Sequence, residues 1–354
     1  MLWTGRPVHK ELLVLLRLWS VVFCLIGTQA LADMAEPPQQ FAEIGDLQLV
    51  SGEVLQGCRI GYRTAGTLNA DKSNVIVFPT WFTGTSGDLL KWEKIGPGRL
   101  ADTDRYYVIA IDALGNGVST SPSNSKRQPA ADFPAIAIDD MVNAAHALLT
   151  RHLGFEHVHA VMGISMGGMQ TFQWTWQYPD YMDKAVPIDG SPRLTSYDLL
   201  QWQTHAAAIE IMQEAGVSNA RIMDFLASLN LLTLWTPDYF VENVTPGALP
   251  QFRSESSDGY AQRDANDYLA QLRAMLALDV FADGAAAGRP YAESIQADVL
   301  VVGVPSDHMV NPAPGKALAN AVGARYAEID SNCGHIGTGC EEWTVTALVN
   351  AFLD

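Results

Sequence analysis

Hydrophobic and polar positions along this chain follow two different periods, and the switches between them mark its elements. From Phe41 to Thr64 the period is two, broken at Gly45, Gly52, Gly57 and Gly61, which predicts an antiparallel start to a sheet. Asn74–Phe78, Tyr106–Ile111, Val158–Met162, Ala185–Ile188, Asp298–Val304 and Arg325–Ile329 are short, mainly apolar runs and predict strands, most of them buried. Between them, Ile136–Leu153 puts Ile138, Met141, Val142, Ala145, Leu148 and Leu149 on one side of a helix. Gly168–Tyr178 predicts another helix, stopped by Pro179. Strands that alternate with helices indicate an α/β chain with a mostly parallel, doubly wound sheet. The rhythm changes near Ser191. Tyr197–Leu278 is rich in Ala, Leu, Gln and Met, includes Trp202 and Trp235, and shows no period-two run. The predicted organisation is therefore a core of residues 41–191 and 290–354, interrupted by a helical lid at 192–289.

The N-terminus stands outside that pattern. Arg6, His9, Lys10 and Arg17 make a basic start, Leu18–Ile26 is apolar, and Ala30-Leu31-Ala32 offers small residues where a signal peptidase reads. This predicts a secretory signal peptide over residues 1–32, cleaved after Ala32, and an exported (periplasmic or secreted) protein. Arg17 interrupts the apolar segment, and the remainder is short for a bilayer span. Apolar residues make up 48% and charged residues 17%, which is enough to build a large core. The net charge of −17 becomes more negative once the leader's Arg6, Lys10 and Arg17 are gone with Glu11. Such a chain repels nucleic acid and anionic lipid, and disfavours a polyanionic acyl carrier such as coenzyme A. Past the leader the cysteines are Cys58, Cys333 and Cys340. Cys333 and Cys340 bracket a glycine-rich loop that an oxidising compartment could bridge, leaving Cys58 over; three buried free thiols are the alternative. No Cys/His spacing resembles a zinc site, and no metal or cofactor is expected.

The chemistry is concentrated at Gly163-Ile-Ser-Met-Gly167, with a predicted strand before it and a predicted helix after it. A serine on a tight strand-to-helix turn needs small neighbours, stands clear of the sheet, and faces the unpaired amides of the new helix. Ser165 is thus the candidate nucleophile, and the Met166 amide one oxyanion donor. A serine needs a histidine base and a carboxylate to orient it, and in such sheets both come from loops after later strands. Among eight histidines, His335, in Asp330-Ser-Asn-Cys-Gly-His-Ile-Gly, has the fitting context, with His308 as the alternative. Asp307 directly follows a buried strand, where functional groups of α/β sheets collect. Asp330 lies too close to His335 in sequence, and Asp112 precedes the serine. The second oxyanion donor is expected in the loop after Asn74–Phe78, at the Phe82 amide.

Together these pieces resemble the homoserine O-acetyltransferase family of α/β-hydrolase-fold enzymes. The similarity runs through Tyr62-Arg-Thr-Ala-Gly-Thr-Leu-Asn-Ala-Asp-Lys-Ser-Asn74, Phe82-Thr-Gly84, Gly163-Ile-Ser-Met-Gly-Gly-Met-Gln170 with Tyr178-Pro-Asp180, and Gly334-His335. The resemblance implies an α/β-hydrolase fold, catalytic roles for Ser165, Asp307 and His335, oxyanion amides at Phe82 and Met166, and a homodimer joined through the lids. It does not extend to homoserine. The family's aspartate after the catalytic histidine is Ile336 here, and its lid arginine has no counterpart in Ile222–Phe240. A buried amino acid without those partners would be costly.

Two enzyme functions follow. The first is an exported carboxylic ester hydrolase working on a small-molecule ester through an acyl-enzyme. The second transfers an acyl group from the same intermediate to an alcohol. A non-catalytic binding protein on this fold is a third reading, disfavoured because no member of the serine, acid and base set is missing.

Overall fold

Two antiparallel strands, β1 (Gln40–Gln48) and β2 (Val54–Ala65), open the sheet in a computed structural model that describes residues 36–288 and 290–354. The predicted leader lies outside the described residues. β3 (Val75–Pro79) leads through a loop into the short α1 (Ser86–Lys91), and β4 (Ile95–Gly96) pairs with β5 (Ala101–Asp102) beside the main sheet. The sheet continues with β6 (Tyr107–Ile111), α2 (Ile138–Ala147), β7 (Val158–Ile164), α3 (Met166–Gln177) and β8 (Met182–Ile188). The strand order is β1-β2-β6-β3-β7-β8-β9-β10, with β9 (Asp298–Gly303) and β10 (Arg325–Glu328) completing it. β2 meets β6 antiparallel, and every pairing from β6 to β10 is parallel. This is the α/β-hydrolase architecture.

The continuous apolar runs are explained by the two faces of the sheet. On β3, Val75 and Val77 enter one core while Ile76 and Phe78 enter the other, and on β9 Val299 and Val301 oppose Leu300 and Val302 in the same way. α2, α3 and α11 (Ala313–Val322) cover one face through residues such as Met141, Phe172 and Leu318. Leu89 of α1 covers the other, together with Val345, Val349 and Leu353 of α13 (Glu342–Leu353), which follows the one-turn α12 (Gly337–Cys340).

Some boundaries differ from the sequence pattern. β8 starts at Met182 rather than Ala185, because the exposed Asp183 and the half-buried Lys184, whose Nζ donates to the Phe352 and Leu353 carbonyls at 2.9 and 3.0 Å, hide the strand from an apolar count. The helix predicted to Leu153 changes at Leu148 into a π turn, where Thr150 Oγ1 donates to the His146 carbonyl at 2.7 Å.

Between β8 and β9 the chain is helical. α4 (Ser196–Glu214) and α5 (Asn219–Leu234) lead to α6 (Pro237–Asn243), α7 (Leu249–Tyr260), α8 (Ala265–Leu276), α9 (Val280–Ala286) and α10 (Tyr291–Ser294). Side-chain oxygens cap several N-termini: Thr195 for α4, Thr236 for α6, Asp264 for α8 and Asp279 for α9. Trp202, Ile209, Ile222, Leu226 and Tyr268 bury a shared apolar seam that joins these helices to the core over the sheet. Among the described residues no helix is long and apolar enough to cross a membrane.

Candidate active site

The parallel strands end at one edge, and the loops that leave it carry the chemistry. β7 passes into α3 through Ser165, whose φ of 58° and ψ of −121° give the sharp turn. The Ser165 amide donates to the Ile188 carbonyl at 2.8 Å, and its carbonyl accepts from Met169 at 2.9 Å. The chain can turn this tightly only because its neighbours lack side chains. A Cβ on Gly163 would stand 2.3 Å from the Gly167 carbonyl oxygen, and one on Gly167 would stand 2.6 Å from that of Pro79. Met166 opens α3, so its amide belongs to the first turn, where helical N–H groups have no partner within the helix.

His335 reaches this serine from the other end of the sequence. Its Nε2 lies 2.9 Å from Ser165 Oγ, and its Nδ1 lies 2.7 Å from Asp307 Oδ2. Asp307 sits on the turn after β9, and its other oxygen accepts the Met309 and Val310 amides at 2.9 Å each. All three side chains are nearly closed off from solvent. Burial works to lower the imidazole pKa, but the charge and hydrogen bond of Asp307 oppose it, aided by the charges of Asp189 and Asp198. Together they leave the imidazole above its ordinary 6.5. The loop of His335 is closed by a Cys333–Cys340 disulfide with Cα atoms 6.6 Å apart, so of the two cysteine readings the bridged one holds. Cys58 is free and buried, and burial, with the charge of Glu43, pushes its thiol up to about 12.

The alternative residues are occupied elsewhere. Each ring nitrogen of His308 lies 3.2 Å from a backbone carbonyl, Nδ1 from Ser306 and Nε2 from Leu232, and Asp330 is exposed. Asp112 is buried and accepts from the Ser86 amide at 2.7 Å and its hydroxyl at 2.8 Å, which anchors the far end of the loop after β3.

That loop carries Phe82. Its ring packs edge-on against Tyr268 at 4.5 Å and Trp202 at 5.7 Å between centroids. The next residue, Thr83, has a φ of 60°, and its amide donates to Gln271 Oε1 at 2.8 Å. Gln271, fully buried on α8, passes its own amide hydrogen to the Leu114 carbonyl at 2.9 Å. Arg263 hydrogen-bonds the Thr83 hydroxyl, and Gln170 of α3 holds the Thr80 carbonyl at 3.1 Å. The loop is thus gripped by the elbow helix on one side and the lid on the other. Beside it lies a cavity of about 650 Å³ with Thr83, Asn116, Arg263, Asp267 and Tyr268 among its lining residues.

The sequence reading missed two residues here. Gln271 is one polar residue among many on the lid helices and carries no local signal. Asp189 had one, an acidic residue immediately after a buried strand. Among the described residues, no cluster of three or more His, Cys, Asp or Glu could hold a metal ion.

A nucleophile elbow on a sheet of this order, with an acid–histidine pair from the later loops, defines a class. Residues 74–338 match the α/β hydrolase fold family, and the chain belongs to it. Within that family the chain is similar both to homoserine O-acetyltransferases and to esterases. A homoserine O-acetyltransferase of Caulobacter vibrioides is 30% identical, covering 87% of this chain and 92% of its own length. The ethyl acetate hydrolase of Pseudomonas veronii is 35% identical over 57% of this chain. The chain spans 60% of that protein's length, and half that of a probable esterase of Corynebacterium glutamicum. The acetyl esterase MekB superposes with a TM-score of 0.81 at 27% identity, covering 89% of this chain and 95% of MekB.

Proposed function

We propose that this α/β-hydrolase-fold protein is a carboxylic ester hydrolase that works through an acyl-enzyme on Ser165. The observation that carries this reading is the continuous relay from Ser165 Oγ to His335 at 2.9 Å and from His335 to Asp307 at 2.7 Å. Ser165 Oγ attacks the ester carbonyl carbon while its proton passes to His335 Nε2. The imidazolium is held by Asp307, whose second oxygen is already committed to two amides. The developing oxyanion is received by the Met166 and Phe82 amides. His335 then protonates the leaving alcohol, and water, deprotonated by the same histidine, releases the carboxylic acid and restores Ser165.

Three features favour hydrolysis over transfer. Ile336 stands where a substrate amine would need a charge, the similarity includes an ethyl acetate hydrolase and an acetyl esterase, and export would separate the enzyme from cytoplasmic acyl donors. The second reading, transfer to an alcohol, is supported by similarity to homoserine O-acetyltransferases along most of the chain.

Turnover of p-nitrophenyl acetate and butyrate, with and without added alcohols, decides between them. Hydrolysis predicts turnover in water that alcohols do not accelerate, and a loss of roughly a thousandfold or more in Ser165→Ala. Slow release that speeds up with alcohol and yields a new ester would make it a transferase. Turnover that survives Ser165→Ala would sink both readings.

A further inference from the structure

Asp189 follows β8 directly, at the sheet edge that also carries Ser165 and Asp307, and no step above uses it. Its side chain is buried. Oδ2 accepts the Thr338 hydroxyl at 2.5 Å, while Oδ1 is shut off from solvent with no hydrogen-bond partner. Its backbone lies at a φ of 46°, and its amide donates to the Val302 carbonyl at 2.9 Å. The next residue, Gly190, abuts α3, where a Cβ would stand 2.7 Å from the Gly168 carbonyl carbon. The backbone that carries the carboxyl is therefore held by the elbow helix on one side and β9 on the other.

Its partner lies in the loop that carries His335. Thr338 comes three residues after the histidine, inside the Cys333–Cys340 bridge, and Gly337 between them packs so close to Val304 that a Cβ would stand 2.7 Å from that side chain. The Asp189–Thr338 bond joins this loop to the strand next to the elbow.

We propose that Asp189 is a positioning residue for His335: through Thr338 it fixes the loop that presents the imidazole, and its carboxyl places a second acidic group beside the Asp307–His335 pair. This rests on the reading of His335 as the base. A buried carboxylate with one unpaired oxygen is costly, and a purely structural site would be served as well by a neutral side chain. Burial first, and then repulsion from Asp307, push Asp189 up to about 7, while His335 and the Thr338 bond pull the other way. The acidic groups acting on His335 are Asp307 from the turn after β9, Asp189 from β8 and Asp198 from α4. Tyr326 on β10 also feels Asp189; burial first, then Glu328, Asp189 and Asp307, push its hydroxyl up to about 12. Asp189 is neutral below its own titration and anionic above it, and the anion favours the imidazolium. Removing it lowers the pH at which His335 becomes a free base.

The test is the imidazole titration of His335 by NMR, assigned by its loss in His335→Gln, alongside the pH profile of kcat/KM on p-nitrophenyl acetate. In Asp189→Asn both midpoints should move down by about half a pH unit or more. Thr338→Val removes a hydrogen bond to the charged carboxyl and should move them the same way by less, whereas Thr338→Ser should not. Unchanged midpoints with a uniform loss of rate would make Asp189 merely structural and overturn the proposal. If Asp189→Asn fails to fold, Thr338→Val carries the same comparison. Should wild type show no ester turnover, the hydrolase reading fails separately, and the imidazole titration still decides the role of Asp189.

Discussion

Ser165 occupies a backbone region that costs a side-chain-bearing residue roughly 1–3 kcal/mol. That strain holds its hydroxyl at the start of α3 and within reach of His335. Ser165→Ala keeps the strain and loses the hydroxyl; Ser165→Gly loses both. Both variants should be inactive, and the glycine variant should be the more stable by about 1 kcal/mol after allowing for its freer unfolded chain. Calorimetry of the two side by side checks this, and a less stable glycine variant would show that the elbow is not strained. At this scale much of the site was legible. Gly-x-Ser-x-Gly, an aspartate directly after a buried strand and a histidine among glycines all leave local marks. Asp189 left a fainter one. Its importance comes from Thr338, 149 residues away in sequence.

At the scale of elements, the loop after β3 shows how the lid enters the chemistry. Its Thr83 amide is bound by Gln271 on α8, and the same side chain holds the Leu114 carbonyl of the neighbouring loop. Gln271→Leu removes both bonds without a large change in volume. It should lower kcat on a small ester by roughly tenfold to a hundredfold with little change in KM, because an oxyanion donor matters most in the transition state. A variant with raised KM and unchanged kcat would assign Gln271 to substrate binding instead. Element types were readable from period and composition, but their boundaries were less so. β8 hid its first residues behind two charged side chains, one exposed and one tied to the C-terminal carbonyls, and α2 gave way to a π turn with a side-chain bond that no period reveals.

At the scale of the whole molecule, the lid helices expose Leu200, Leu232 and Val241 to solvent. The resemblance to the homoserine O-acetyltransferase family implies pairing through these helices, where a second copy would cover such apolar side chains. We propose that the exported protein begins at Asp33 and pairs through these helices. Intact mass of the secreted form and light scattering should give that start and twice the chain mass, and Leu232→Glu should give a monomer. A wild-type monomer at high concentration would end the pairing proposal, and a mass that retains the leader would end the proposal of cleavage.

The sequence by itself determined the alternation of strands and helices, the interruption by a helical segment, the elbow and a short set of candidates to act there. These rest on local physics: side-chain period, glycine at a crowded turn, and the place of polar residues at strand ends. Only the tertiary structure decided which face each apolar residue fills, which histidine meets the serine, whether the two cysteines join, and which buried groups stand behind the base. Those outcomes depend on contacts between segments far apart in the chain. Their energies come from burial and shared hydrogen bonds, which no window of sequence contains.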